Sequence, residues 1–375
     1  MKKERQKNKI LFLIQLPPPI HGVSVINEHI YNLDIFNGPF RKDEVELKFS
    51  NNLETLSQLS FEKIFRTFKI AYSLIKKCIT FRPNFIYFTI SPANNTFYRD
   101  LLYVLIIKVM RVHPIYHLHG KGIADNITKH GFLLKIYRWV FNNATIIHLS
   151  DGLLASEITP LNLTNTKTYT LQNGIKKVEG SSSFKLEEKE DDILFLSNLF
   201  PSKGIFVLLE ALQLVVKKRP LIKVNIVGDT VNADILQKVN DKIESSGLKK
   251  NVIIHGSKTG SQKNAFFESS KIFVHPTLND AFPLVILEAL QYGLPVISTF
   301  EGAIPEIIDQ NTGVLLPKNQ PKMLADEIVK MLDNTPKLIK MSANCRTQFS
   351  EYYSLDRFDR NLNVIFEAIL EEAYV

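Results

Sequence analysis

Asn279-Asp280-Ala281-Phe282-Pro283-Leu284-Val285-Ile286-Leu287-Glu288-Ala289-Leu290-Gln291-Tyr292-Gly293 follows the apolar run Ile272–His275 and reads as a loop turning into a helix. Pro283 suits the first helical position, where a missing N–H costs nothing, and Gly293 closes the helix. Such a helix leaves the backbone N–H groups of Leu284 and Val285 free at its start. Those donors and the helix dipole favour an anion there, such as a diphosphate. Asp280, in the loop, can accept hydrogen bonds from sugar hydroxyls, and Glu288, on the helix, from a ribose diol. The plainer alternative is a helix with an N-terminal acid and one solvated glutamate.

Outward from this stretch, short apolar runs alternate with longer amphipathic ones, which predicts an α/β fold with parallel sheets flanked by helices. Strands are expected at Ile10–Gln15, Phe85–Thr89, Ile115–His119 and Thr145–Leu149. A second set is expected at Ile193–Ser197, Lys223–Val227, Val252–His255, Ile272–His275, Pro295–Ser298 and Val314–Leu316. Helices are expected between them, among them Val23–Asn32, Phe61–Thr80, Val231–Ser245, Leu284–Tyr292 and a long amphipathic tail, Leu355–Ala373. Between the two sets, Lys176–Asp192 is polar, has a Gly-Ser-Ser-Ser core and no periodic apolar face, and reads as a linker. The domains expected are 1–178 and 191–352, with 353–375 as a C-terminal helix. Open α/β sheets bind ligands at the carboxyl ends of their strands, so the strand-to-helix loops carry the search for a site.

The composition fits. The chain has 375 residues, 45% hydrophobic and 22% charged, enough for two cores of ordinary size. Cys78 and Cys345 stand far apart with no C-x-x-C pattern, and both read as small buried side chains. Ile10–Ile14 is too short for a signal-peptide core and runs into Gln15 and Pro17-Pro18-Pro19, and Leu101–Ile107 is too short to span a bilayer. A soluble, cytoplasmic protein is expected. The formal charge of +8 is spread along the chain without nucleic-acid-binding motifs, so no nucleic-acid partner is expected. Phosphate-loop, dinucleotide-loop and nucleophile-elbow signatures are absent, which removes weight from kinases, dehydrogenases and serine hydrolases.

Asp280 and Glu288 resemble the paired-acid signature of retaining GT-B glycosyltransferases, family 4 (glycosyl transferases group 1). Gly293-Leu-Pro-Val-Ile-Ser298 and Glu301-Gly-Ala-Ile-Pro-Glu306 resemble the strand and turn that follow it. Leu196-Ser-Asn-Leu-Phe-Pro-Ser-Lys-Gly204 resembles the loop whose lysine contacts the donor diphosphate, which assigns that role to Lys203. Leu171-Gln-Asn-Gly-Ile175 resembles the turn that ends the first domain. Pro17-Pro-Pro-Ile-His-Gly-Val-Ser24 resembles the glycine loop after the first strand, with Gly22 allowing the backbone near phosphates and acceptor. The similarity is strongest from Ile193 to Pro317.

The resemblance implies two facing Rossmann-like domains, an acceptor-side N-terminal one and a nucleotide-sugar-binding C-terminal one, with the last helix returning to the first. It implies transfer of a hexose-type sugar from a nucleotide-sugar donor, a UDP-sugar favoured, to a glycan or lipid-linked acceptor in bacterial surface polysaccharide synthesis. Configuration is retained, and the departing phosphate oxygen accepts the acceptor's proton. Lys203 and the amides of Leu284 and Val285 stabilise the leaving group. His119 and Asp280 orient the sugar and Glu288 the ribose, with Asn198 and Phe282 beside them. There is no Asp-x-Asp, and neither metal nor cofactor is expected. The chain departs from the pattern at Asp280, which is a methylene shorter than the usual glutamate, at Asn198, where an arginine often stands, and at Pro283, which replaces a frequent glycine. Two rival readings stay open: a nucleotide-sugar epimerase of the same architecture, and a non-catalytic scaffold with a decayed donor site.

His117 and His119 alternate onto one strand face; without a third ligand they do not make a metal site, and His117 reads as structural. His275 reads as packing, and His21 as a residue near the acceptor. Along Phe61–Arg82, Lys63, Arg66, Lys69, Lys76 and Lys77 interleave with Phe61, Ile64, Phe65, Phe68, Tyr72 and Ile75. This reads as a core-facing helix with snorkelling lysines, or as peripheral attachment to an anionic membrane at the inner face of the cell membrane.

Overall fold

The computed structural model describes residues 8–18, 21–36, 40–49, 61–181, 185–230 and 232–372. The basic run before Asn8, Pro19 and Ile20 of the first loop, 182–184 of the polar stretch, the Phe61 side chain, and Val231 and Ala373 at the expected helix ends lie outside them. The chain divides into two compact units, Met1–Gln172 with Asp359–Val375, and Asn173–Phe358.

The first unit is a parallel sheet of β1 (Asn8–Ile14), β2 (Phe40–Glu46), β3 (Phe85–Phe88), β4 (His113–Leu118), β5 (Thr145–His148) and β6 (Lys167–Thr170), in the order β2-β1-β3-β4-β5-β6. Leu11, Leu13, Ile86, Phe88, Tyr116, Leu118 and Ile146 belong to its main apolar core. Phe12, Phe36 and Phe40 form a separate aromatic group, and Phe366 of the C-terminal helix Leu355–Glu372 meets Phe36 edge-on at 4.8 Å. His29 Nε2 and Asp359 Oδ1, 2.6 Å apart, tie that helix to Gly22–Asn32. Four of the six strands are legible in the sequence. The two missed ones, Phe-Arg-Lys-Asp-Glu-Val-Glu and Lys-Thr-Tyr-Thr, are edge strands, which need no continuous apolar run.

The second unit repeats the plan with β7 (Ile193–Leu196), β8 (Val224–Val227), β9 (Val252–Ile254), β10 (Ile272–His275), β11 (Val296–Thr299) and β12 (Gly313–Leu316), in the order β12-β11-β10-β7-β8-β9. These are the six runs expected from their apolarity. Helices Ile205–Lys218 and Pro321–Leu332 supply much of the core, and Cys345 is buried on Thr335–Gln348, a helix that was not expected from the sequence. The polar stretch after Ile175 is built into this unit. The Val178 N–H donates to Gln291 Oε1, and Leu186 is buried in the core. Two parallel six-stranded sheets flanked by helices make this an α/β protein of two Rossmann-like units.

The basic helix needs a correction. Phe61–Thr80 buries Ile70, Ala71, Leu74 and Cys78, whereas Ile64, Phe65, Phe68 and Tyr72, expected to face the core, are exposed. The helix carries two apolar stripes, and the spacing of residues 70, 74 and 78 places the smaller side chains against the sheet.

Candidate active site

In each sheet the strand order reverses next to the first strand of the unit, between β1 and β3 and between β7 and β10. At such a switch point the loops leaving the two strands run to opposite faces and open a crevice.

In the second unit that crevice holds the sequence-predicted residues. The loop after β7 and the loop after β10 are fastened together by the Ser202 carbonyl, which accepts from Leu278 N (2.8 Å), Asn279 N (3.1 Å) and Thr277 Oγ1 (3.2 Å). Gly204, at φ +82°, lies so close to β10's exit that a Cβ would stand 1.9 Å from the Pro276 carbonyl oxygen. Only glycine fits there, which explains the Lys-Gly pair. The result is that Lys203 Nζ lies 2.6 Å from Asp280 Oδ2, with His275 Nε2 at 3.5 Å from the same oxygen. Burial pushes the Asp280 carboxyl up, but His275 and Lys203 outweigh it and hold it below the ordinary carboxylate value. Asp280 is therefore an ionised acceptor beside a fixed cation. His275, read as packing, is an immediate neighbour of the acid.

Beyond Asp280 the helix begins at Leu284, the start of the expected span, with Pro283 just before its first turn rather than in it. Pro283 is its N-cap, at φ −73° and ψ 109°, and Leu284 is the first helical residue. Ile286 N already bonds the Pro283 carbonyl at 3.1 Å, so the first-turn donors are those of Leu284 and Val285. Phe282 is buried, its ring 6.3 Å from that of Tyr353. Glu288 accepts from Lys263 Nζ at 2.6 Å through Oε1, while Oε2 is buried with no partner among the described residues. Asn198 is exposed at the end of β7, and its carbonyl accepts from Phe200 N at 2.8 Å.

Two further residues join this site: Glu301, which the sequence places in a family-like turn without giving it a role, and Lys263, which no local motif marks. Glu301, buried, accepts from Asp280 N at 3.2 Å and pairs with Lys318 Nζ at 2.8 Å. Lys263, the partner of Glu288, comes from a helix, Gly260–Ser269, with no signature of its own.

In the first unit, Gly22 opens the helix Gly22–Asn32, and His21 caps it by accepting from Ser24 N at 3.3 Å. His117 is fully buried and hydrogen-bonded to the Tyr87 hydroxyl. His119, its ring 4.0 Å from that of His117, reaches a cavity of about 220 Å³ that His21 also lines. Burial, with His148 and His21 adding to it, pushes His119 down to about 3, and burial pushes His148 down to about 4. These imidazoles are neutral hydrogen-bonding groups near neutral pH. No group of three or more His, Cys, Asp and Glu side chains among the described residues is arranged to hold a metal ion.

Residues 179–348 match the family described as Glycosyl transferases group 1. The match lies within the second unit and takes in β7 to β12 with Lys203, Lys263, His275, Asp280, Glu288, Glu301 and Lys318. The chain is similar to the poly(ribitol-phosphate) alpha-N-acetylglucosaminyltransferase of Staphylococcus aureus strain COL, 26% identical over 239 residues, covering 62% of this chain and 46% of that protein. It is also similar to the capsular polysaccharide biosynthesis glycosyltransferase CapM of Staphylococcus aureus, 24% identical over 248 residues, covering 62% of this chain and 64% of CapM. The chain therefore spans about half to two thirds of these relatives. Among solved structures it resembles Anabaena HepE in complex with UDP and glucose, with a TM-score of 0.68 at 17% identity over 96% of this chain and 99% of that one, a likeness of fold.

Proposed function

We propose that the chain is a retaining, metal-independent glycosyltransferase that moves a hexose-type sugar from a nucleotide-sugar to a glycan or lipid-linked acceptor in bacterial surface polysaccharide synthesis. The observation that carries this reading is the Lys203–Asp280 pair at the switch point of the second unit, one turn from the free amides of a helix start. A cation and oriented amides suit a departing diphosphate, and an ionised acid suits sugar hydroxyls. The unpartnered, buried Glu288 Oε2 leaves one oxygen for a ribose diol.

Cleavage of the anomeric C–O bond leaves the electron pair on the diphosphate oxygen, which Lys203 and the amides of Leu284 and Val285 stabilise. The same oxygen takes the acceptor's proton as the new glycosidic bond forms on the same face. UDP is the favoured nucleotide, in line with the UDP held by the structurally similar Anabaena protein. The exposed aromatic and basic face of Phe61–Thr80 supports peripheral contact with an anionic membrane, which would suit a lipid-linked acceptor.

Calorimetry with UDP, GDP and ADP in the presence of EDTA tests the donor site. The expected result is tight binding of UDP that Glu288→Ala weakens about tenfold, the loss of one charge-assisted hydrogen-bond acceptor. No binding of any of the three would overturn the donor site.

A further inference from the structure

The cavity that His119 reaches in the first unit lies at the carboxyl ends of β1, β3 and β4 and has polar walls from Gln15, His21, Thr89, Ser91, Arg99 and His119. No aspartate or glutamate lines it. Its one charged lining residue is Arg99, whose guanidinium is held in place by two neighbours. Asp100, fully buried, accepts from Arg99 Nε (2.8 Å) and Nη2 (2.7 Å) through one oxygen, and from Ser91 N (2.9 Å) through the other. The Phe49 ring lies 3.9 Å from the Arg99 guanidinium carbon. The guanidinium is thus fixed on two sides, with its carboxylate partner set behind the wall and its Nη1 uncommitted among the described residues. His119 Nε2 is buried there without a partner among the described residues. Val23, in the first turn of Gly22–Asn32, adds the positive end of a helix.

We propose that this cavity is an acceptor subsite for one sugar unit bearing an anionic group, a carboxylate or a phosphate, read by Arg99 with His119 and Ser91 taking its hydroxyls. This rests on the glycosyltransferase reading for the word acceptor, though not for the binding itself. About 220 Å³ is below the usual size of a drug-like pocket and suits a single ring. A fixed cation with neutral hydrogen-bonding groups around it discriminates an acidic sugar from its neutral counterpart, because planar, charge-assisted pairing is lost with the neutral one. Burial keeps His21 and His119 below their ordinary values, which leaves Arg99 as the fixed charge of the wall.

The test is ligand-observed NMR titration of the full chain with glucuronate, glucose 6-phosphate, inorganic phosphate and glucose, each with and without UDP. The expected result is that glucuronate or glucose 6-phosphate binds at least about tenfold more tightly than glucose, whether or not UDP is present. Inorganic phosphate separates the sources: if it competes as well as glucose 6-phosphate, the site reads a bare anion and the sugar-subsite proposal fails. Arg99→Ala would strand a buried carboxylate, so the variant is Arg99→Met with Asp100→Asn, which removes both charges together. That variant should bind glucuronate and glucose alike while keeping wild-type UDP affinity. Equal affinity for acidic and neutral sugars in the wild type, no binding of either, or an acidic preference that survives the double substitution would overturn the proposal. Failure of UDP binding alone would overturn the donor reading and leave the cavity result standing.

Discussion

Lys203 and Asp280, 2.6 Å apart, come from the exits of two strands that are neighbours in the sheet, β7 and β10, though 77 residues separate them in the chain. In the proposed donor site the pair would have two separable jobs, and substitution should divide them. Lys203→Ala removes the cation proposed to face the diphosphate and should weaken UDP binding about tenfold to a hundredfold, the range for a charged hydrogen bond. Asp280→Asn keeps the shape and removes the anionic acceptor for sugar hydroxyls. It should leave UDP affinity within about threefold while lowering kcat about a hundredfold or more. Calorimetry and initial-rate kinetics on the two variants decide this; equal effects of both on UDP affinity would contradict the division.

The backbone around Asp280 is as constrained as its side chain. Gly302 sits at φ +53°, and a Cβ there would stand 2.3 Å from the Asp280 carbonyl oxygen and 2.4 Å from that of Ala281. Ala303 N also bonds the Ala281 carbonyl at 2.7 Å. Gly302→Ala should therefore push the Asp280 turn outward, with a loss of about 1–3 kcal/mol or more and a fall in transfer rate. Gly247→Ala is the control. Its φ is +69°, but nothing lies within 4 Å of the added methyl, so only backbone strain is incurred. Thermal unfolding and activity of the pair should show Gly302→Ala losing both and Gly247→Ala losing stability alone.

The chain announces its second unit more plainly than its first. All six strands there are apolar runs; the inner four, β7, β8, β10 and β11, are almost wholly buried, as a parallel sheet covered on both faces needs, and the edge strands β9 and β12 are partly buried. In the first unit the edge strands β2 and β6 escape notice because Arg41, Lys167 and Thr168 are exposed and interrupt the apolar pattern. The site divides in the same way. Asp280, Glu288 and Lys203 lie in local motifs with a turn or helix start beside them. Lys263, Lys318 and Arg99 reach their positions only through packing between elements distant in sequence, which no local pattern records, and the turn that holds Glu301 does not say that its side chain meets the Asp280 amide. The helix Phe61–Thr80 shows the opposite failure. Its aromatic residues have helical spacing, and spacing alone does not say which of two stripes meets the sheet.

The neutral histidines of the first unit give stability a pH dependence of known sign. His148, pushed down to about 4, and His119, pushed down to about 3, stay neutral in the fold, whereas the unfolded chain protonates them near about 6.5. Between those values the unfolded state binds more protons, so stability is full above about pH 6.5 and is lost as pH falls through that window. Each histidine should contribute up to about 1.4 kcal/mol per pH unit. Asp280, with its lowered carboxyl, loses its share only at lower pH, below about 3.9. His148→Asn keeps an acceptor for the Leu149 N–H, which His148 Nδ1 now binds at 2.8 Å, and removes the titration. Urea unfolding from about pH 7.5 to about pH 4.5 should show a shallower decline in that variant; an unchanged slope would mean that His148 is not among the groups responsible.

Phe65, Phe68, Tyr72 and Ile79 form one exposed stripe of the helix Phe61–Thr80, with the exposed Lys69 and Lys76 beside it. Single exposed apolar residues are ordinary on a protein surface, but a contiguous aromatic stripe bordered by lysines matches the face of a helix lying in a headgroup layer. No helix among the described residues is long and apolar enough to cross a membrane, so contact through this face would be peripheral. The wild type should cosediment with vesicles containing phosphatidylglycerol and be released by salt, and it should bind pure phosphatidylcholine vesicles far less. Lys69→Gln with Lys76→Gln removes roughly 1 kcal/mol of attraction per lysine and should weaken binding to the anionic vesicles about tenfold or more. Phe65→Ser with Phe68→Ser should weaken binding to the same vesicles without changing its salt dependence, because the apolar face and the charges act through different terms. Both double variants alter exposed positions, so the fold should persist and UDP binding should be unaffected. Equal binding to neutral and anionic vesicles, or none to either, would remove the membrane from the account of this helix.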